Sequence, residues 1–445
     1  MVDSIINILR TNRDFLCKIL IMCEFLDLRS LAAHELPALC EFGMKSKVPA
    51  GFGYLGPEGA VMPEMGAQLW INCRMTHMFS LFALAGIHPE QSRELAAHGI
   101  HALREYFVDR EYGGWFSWID TELDASGQPR PNLENGPRKE AYAHAFVIIA
   151  ASSATVAEIP GARELLDEAR RIQDAYWWDE SAGRARESYA RDWTELEDYR
   201  GANANMHTLE SCLAAFDATA DTEYLRRGAS IATKIINESA REYDWRIPEH
   251  YTSNWHIDPD YNRDKPTDPF RPWGATPGHG FEWARLILQL QATAEAAGLD
   301  LNLDWVPKAA AGLYRSALAS WGSDGADGIP YTTDFQGRPV SSQRMHWVIC
   351  EALGASLVVA QYFTGRAGQD NEDLAATATQ WVQRFSEYAQ RRLIESPGRW
   401  RHELDAHNLP AALTWPGKPD IYHAGQAMFL SGLPIQPGFA AALHG

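Results

Sequence analysis

Two histidines stand where helices are expected to begin. In Thr276-Pro277-Gly278-His279 the threonine is a good N-cap and the proline suits the first helical position, while Phe281, Ile287, Leu288 and Leu290 continue at helical spacing. His279 thus falls inside a helix start, where unpaired backbone N–H groups and the positive end of the dipole disfavour imidazolium. The expected form is a neutral imidazole able to accept a proton. Glu282, one turn on, lies on the same expected face. Near the C-terminus Asp420 reads as an N-cap, and His423 follows it at the same spacing. A lone first-turn histidine is ordinarily a packing residue. Two of them, each near Trp, Arg or Lys and an acidic group, point toward general acid–base chemistry.

Further polar groups fall at other expected helix starts. Trp70, Arg74 and His77 share a face, and an arginine on an apolar helix is costly unless it meets a ligand or a carboxylate. Tyr142 with His144, and Asn203, Asn205 and His207, add polar groups, with helix capping the expected role of the two asparagines. The chain has 16 tryptophans, many in expected loops: Trp115, Trp118, Trp193, Trp245, Trp255, Trp273, Trp400 and Trp415. Some must be core, but tryptophan beside Arg, His and carboxylates is also how a sugar site is built.

Helical spacing recurs near 31–43, 68–85, 89–108, 138–155, 160–178, 205–220, 222–240, 279–297, 305–320, 344–362, 371–393 and 420–431. Between alternate helices come Gly- and aromatic-rich segments that read as small hairpins or loops. Their spacing of roughly 60 to 80 residues exceeds a solenoid unit of about 20–50. The expected architecture is therefore all-α, a closed ring of helical hairpins of the (α/α)6 barrel type, with its long loops on one face. Its inner helices should be apolar nearly all round and its outer ones amphipathic. Residues 1–28 read as an N-terminal extension, helical or poorly ordered, and residues 29–445 as one catalytic domain.

The net charge of −18, with no basic block, makes nucleic acid and anionic membranes poor partners. The six cysteines are scattered and read as reduced core thiols. Charged residues interrupt the apolar N-terminus, so neither a signal peptide nor a membrane span fits, and a cytoplasmic location is expected. Gly51 to Gly56 matches G-x-G-x-x-G, but no strand precedes it and Pro57 follows. Asp258 to Asn262 resembles the opening of a calcium loop, yet Arg263 stands where glycine is needed. His98 and His101 lack a third metal ligand nearby and read as an exposed helix face, and no G-x-S-x-G occurs.

Gly51 to Tyr54, Leu69-Trp70 with Arg74-Met75 and His77, Tyr112 to Trp115, Glu197 to Gly201 running into Asn203 to His207, Thr276 to His279 with Glu282-Trp283, and Asp420 to His423 together form an ordered set of motifs. They resemble the N-acylglucosamine 2-epimerase superfamily from about residue 30 onward. The match is nearest its aldose–ketose isomerase branch, whose members act on mannose or sulfoquinovose. The resemblance implies an (α/α)6 barrel, no metal or cofactor, and interconversion of an aldose with its 2-ketose.

Carried over by position, it implies His279 and His423 as acid/base residues with Glu282 beside them, and Arg74, Trp70, His207 and Tyr142 as substrate contacts. Asn203, Arg271 and Trp415 complete the expected set. The sulfoquinovose enzymes carry glutamines where this chain has His402 and Pro419. An uncharged sugar follows: mannose to fructose, and by the same route lyxose to xylulose. The alternatives are a 2-epimerase joining mannose and glucose, a sulfoquinovose isomerase, and a non-catalytic carbohydrate-binding barrel. In the expected mechanism His423 moves a proton between C2 and C1 of a cis-enediol, and His279 with Glu282 assists ring opening. A monosaccharide is the expected partner, and the chain is expected as a monomer or homo-oligomer.

Overall fold

The computed structural model describes residues 25–444. In chain order the first helices are α1 (Leu26–Met44), α2 (Leu69–Leu84), α3 (Pro89–Glu105), α4 (Ala141–Val156), α5 (Ala162–Ile172) and α6 (Ala202–Thr219). There follow α7 (Thr222–Ala232), α8 (Pro277–Ala296), α9 (Val306–Leu318), α10 (His346–Phe363), α11 (Gln369–Tyr388), α12 (Tyr422–Leu430) and α13 (Phe439–His444).

Composition decides which helices go inside. In α5 only Ala162, Leu165, Leu166 and Ala169 are buried and the charged residues between them face water, whereas every residue of α12 is buried. The even-numbered helices α2 to α12 accordingly form the inner ring, each packed on the next, with α12 closing back onto α2. Each carries one odd-numbered helix on its outer side, α1 packing on α12. This is the expected (α/α)6 barrel. Among the described residues one helix, α10, is long and apolar enough to cross a membrane, but it is buried within the ring.

Some boundaries differ from the sequence reading. Helix α1 begins at Leu26, and Phe25 and Leu28 pack in the core, so the expected extension stops short of residue 28. The remainder of that stretch lies outside the described residues. Helices α5, α7 and α11 run on into π-helical turns at Gln173–Trp177, Thr233–Ser239 and Ala389–Leu393, which is why apolar spacing continues past their ends. Helix α13 was not expected; it packs on α2, α4 and α6 at the end of the ring remote from the long loops.

The small β-elements are only partly the local hairpins expected. Four antiparallel pairs join successive loops instead: Ala67–Gln68 with Trp118–Ile119, Arg138–Glu140 with Ser188–Ala190, Tyr199–Gly201 with His250–Thr252, and Arg344–Met345 with Glu403–Leu404. Ala275 bridges Thr333 in the same way. The first member of each pair directly precedes an inner helix. Buried backbone N–H and C=O groups must find partners, and pairing with the neighbouring loop satisfies them while fixing where each inner helix starts. The inner-helix N-termini are thereby held around one mouth.

Candidate active site

That mouth opens into a polar and aromatic hollow, open to solvent on one side. His279, in the first turn of α8, donates from Nδ1 to Glu249 Oε1 at 2.8 Å. His423, in the first turn of α12, donates from Nδ1 to Glu351 Oε1, also at 2.8 Å. A carboxylate only accepts, so Nδ1 of each ring carries a proton, and in the neutral tautomer that this fixes the lone pair lies on Nε2. Both rings line the hollow, and the Trp347 ring lies between them, 5.2 Å from His279 and 5.9 Å from His423.

The local capping differs from expectation in detail. Thr276 occupies the N-cap position of α8, but its hydroxyl makes no hydrogen bond. Helix α12 starts at Tyr422, after Ile421. Asp420 still accepts the Tyr422 N–H at 2.8 Å, while its other oxygen pairs with Arg74 Nη1 at 3.2 Å.

Glu282 is not the partner of His279. Its Oε1 lies 3.7 Å from Arg285 Nη2 and 4.0 Å from His207 Nδ1, in the barrel interior. Helical side chains lean toward the N-terminus, so His279 reaches out to the loop carrying Glu249, while Glu282 one turn later stays over the axis. Burial, then the charges of Glu351 and Glu210, push the Glu282 carboxyl well above the usual range. That direction favours the protonated carboxyl, and Glu282 lines the hollow with its Oε1 buried and making no hydrogen bond.

The floor beneath is a chain of buried polar groups. His207 Nδ1 donates to Glu210 Oε2 at 2.9 Å, and Glu210 Oε1 accepts from Tyr422 Oη and, at 3.3 Å, from Gln426. Burial lowers His207 to about 4. Burial would raise Glu210 and Glu351, but hydrogen bonds from His207 and His423 and the charge of Arg285 hold both below the carboxylate range. His207, Glu210 and Glu282 converge within 4.8 Å, but the cation facing them is Arg285 and His207 Nδ1 is already committed to Glu210.

Trp70, Arg74, Tyr142, Asn203, His207 and Trp415 line the hollow together with the two first-turn histidines. Arg74 donates to Tyr142 Oη at 3.0 Å and lies over the rings of Phe146 and Tyr422. Arg271 does not line it: its guanidinium clasps Glu197 at 2.7 and 3.0 Å in an adjoining cleft. His77 lies below, on Ser153 Oγ at 2.7 Å, in a second cavity toward α13. His144 turns outward to the Ala169 carbonyl, between Trp115 and Trp177.

Neither asparagine caps α6, whose N-cap is Gly201. Asn205 bonds both backbone groups of Ala185, and the Asn203 side-chain oxygen is buried without a partner. Of the loop tryptophans singled out, only Trp415 lines the hollow. His98 is half-buried, bonding the Val48 and Gly51 carbonyls at 2.9 Å. The described cysteines, Cys40, Cys73, Cys212 and Cys350, are free and buried.

Sequence reasoning missed Glu249, Glu351, Glu210 and His346; His346 stacks on His402, the position singled out for substrate choice, with the two rings 3.7 Å apart at the edge of the hollow. Burial lowers His346 to about 3. A signal existed for Glu210, Arg285 and Glu351: the cost of a charge in an apolar inner helix, applied to Arg74, applies equally to them.

The family model described as N-acylglucosamine 2-epimerase (GlcNAc 2-epimerase) matches residues 51–427. The chain belongs to this family. A D-mannose isomerase of Thermobifida fusca is 42% identical over 413 residues, covering 92% of this chain and 95% of that protein. A D-mannose isomerase of Pseudomonas cannabina pv. alisalensis is 41% identical over 425 residues, covering 94% and 97%. A crystal structure of D-mannose isomerase superposes with a TM-score of 0.76 at 26% identity, over 90% of this chain and 96% of that one. A cellobiose 2-epimerase from Spirochaeta thermophila, at 17% identity and a TM-score of 0.71 over 91% and 96%, shares the N-acylglucosamine 2-epimerase fold.

Proposed function

We propose that this chain is an aldose–ketose isomerase that interconverts D-mannose and D-fructose. The observation that carries the reading is the pair of carboxylate-held histidines, Glu249 with His279 and Glu351 with His423, on one sugar-sized hollow. Relatives named D-mannose isomerase, at 41–42% identity over most of both chains, support mannose as the substrate.

Isomerisation requires an opened ring, removal of the C2 proton, a held enediol and return of a proton to C1. In the proposed mechanism Nε2 of His423 takes the proton from C2 and delivers it to C1 on one face of a cis-enediol. General acid–base transfers of this kind are typically worth about 10²–10⁴-fold each. His279, oriented by Glu249, assists ring opening. Protonated Glu282 donates to a sugar oxygen, and Arg74 stabilises negative charge developing on O1 or O2. Trp70 and Trp415 supply apolar faces for the ring.

Incubating the protein with D-mannose and separating the sugars chromatographically tests the reading. Fructose is the expected product. Glucose in its place would assign a 2-epimerase, for which two histidines around one sugar would also serve. No conversion would leave a binding protein.

A further inference from the structure

We propose that Arg285, which does not reach the sugar hollow, is the positioning residue that gives His423 its anionic partner. The two oxygens of Glu351 are divided between two donors. Oε1 accepts from His423 Nδ1 at 2.8 Å, and Oε2 accepts from Arg285 Nη2 at 2.9 Å and Nε at 3.3 Å. Arg285 is 1% exposed and lies one layer below the hollow, beside the second cavity. The inference rests on the isomerase reading and adds a residue that reading does not use.

The charged groups facing Arg285 come from α8, α10 and α6, with α12 joined to them through hydrogen bonds. Glu282 and Gln289 belong to its own helix α8, with Gln289 Oε1 accepting from Nη1 at 3.3 Å. Glu351 comes from α10 and Glu210 from α6, and α12 contributes His423 and Tyr422 through those two carboxyls. The other buried cation nearby, Arg74, is already paired with Asp420. Three acids thus compete for one guanidinium. Glu351 takes the two short contacts and Glu282 only the longer one, in keeping with the opposite directions in which their carboxyls move.

Folding does not demand this arrangement. A buried ion pair can often be replaced by apolar residues of similar volume without loss of stability. Its particular use here is that Glu351 stays anionic, so that His423 keeps its proton on Nδ1 and its lone pair on Nε2. Without Arg285, Glu351 and Glu210 are left as two buried anions, and the Glu351–His423 pair takes up a proton at higher pH. His423 is then unavailable as a base until the pH is raised.

The experiment first measures fructose formation by the unaltered chain; its absence sinks the isomerase reading and this proposal with it. Arg285→Gln, Arg285→Met and Arg285→Lys are then compared. The uncharged variants should lose about 10- to 100-fold in kcat near pH 7, with KM held within about threefold, because a hydrogen bond to a charged group is lost away from the substrate. The acid-side midpoint of kcat/KM against pH should rise by about one unit or more. Arg285→Lys keeps the charge and should leave that midpoint in place, which supports the proposal even if neither uncharged variant folds. An unmoved midpoint in a folded uncharged variant, an equal shift in Arg285→Lys, or a rise in KM at constant kcat would each overturn it.

Discussion

The two carboxylate–histidine pairs look alike at the hydrogen bond and differ in what stands behind them. Both bonds are 2.8 Å long, and Glu249 and Glu351 are 4% and 3% exposed. Glu249 sits in a loop just before the strand His250–Thr252, and its backbone carbonyl accepts the Ala202 N–H at the start of α6. Glu351 sits inside α10, with Arg285 on its second oxygen. One histidine is oriented by the loop belt around the mouth, the other by the charged layer across the barrel. The same imidazole geometry can thus be supported by backbone pairing or by a buried ion pair, and the two supports should fail differently.

The largest effect expected is from removing either imidazole. His279→Ala and His423→Ala should each cost about 10²–10⁴-fold in kcat while the far-ultraviolet circular dichroism of the fold is unchanged. Full activity in both variants would remove the two pairs from the chemistry. Next come their carboxylates. Glu249→Gln should lower kcat by about 10- to 100-fold with little change in melting temperature, since one charge-assisted hydrogen bond of about 1.5–3 kcal/mol is weakened and no cation is stranded. Glu351→Gln should lower kcat and also destabilise the protein by about 3–5 kcal/mol, because Arg285 is left buried without its anion. Equal melting temperatures for these two variants would erase the distinction between the supports.

The smallest effect on turnover is expected at Glu282. Its carboxyl is raised, so the native state holds a proton that the unfolded chain releases above the ordinary carboxylate range, and stability falls as pH rises beyond that range. Glu282→Gln keeps a hydrogen-bond donor and removes the titration. It should stay within about tenfold of the parent in kcat, and its advantage in melting temperature should grow from pH 5 to pH 8. A melting difference independent of pH would show that Glu282 is ionised in the native state.

Much of the scaffold was legible without coordinates. Apolar spacing located the inner helices to within a few residues, as at 68–85 for α2 and 344–362 for α10, because burial of a helix face leaves a local periodic record. The crossing β-pairs were not legible, because residues such as Lys139 and Tyr189 carry no signal that they will meet across two loops. The hollow divides in the same manner. Trp70 and Arg74 were found from one helix face, whereas His77 on the same face lies deeper along the axis on Ser153, a difference of depth that spacing does not record. Arg271, read from a motif near the site, points into the neighbouring cleft because Glu197 holds it there.

The sequence alone placed His279 and His423 at helix starts and established the alternation of buried and amphipathic helices, since caps and periodicity are properties of a few consecutive residues. Only the tertiary structure chose their partners. Glu249 is 30 residues from His279 and Glu351 is 72 from His423, and Arg285 meets Glu351 across 66. Hydrogen bonds and charges act over a few ångströms in space, so closure of the ring decides which acid becomes an anion, which keeps its proton, and which histidine each one orients.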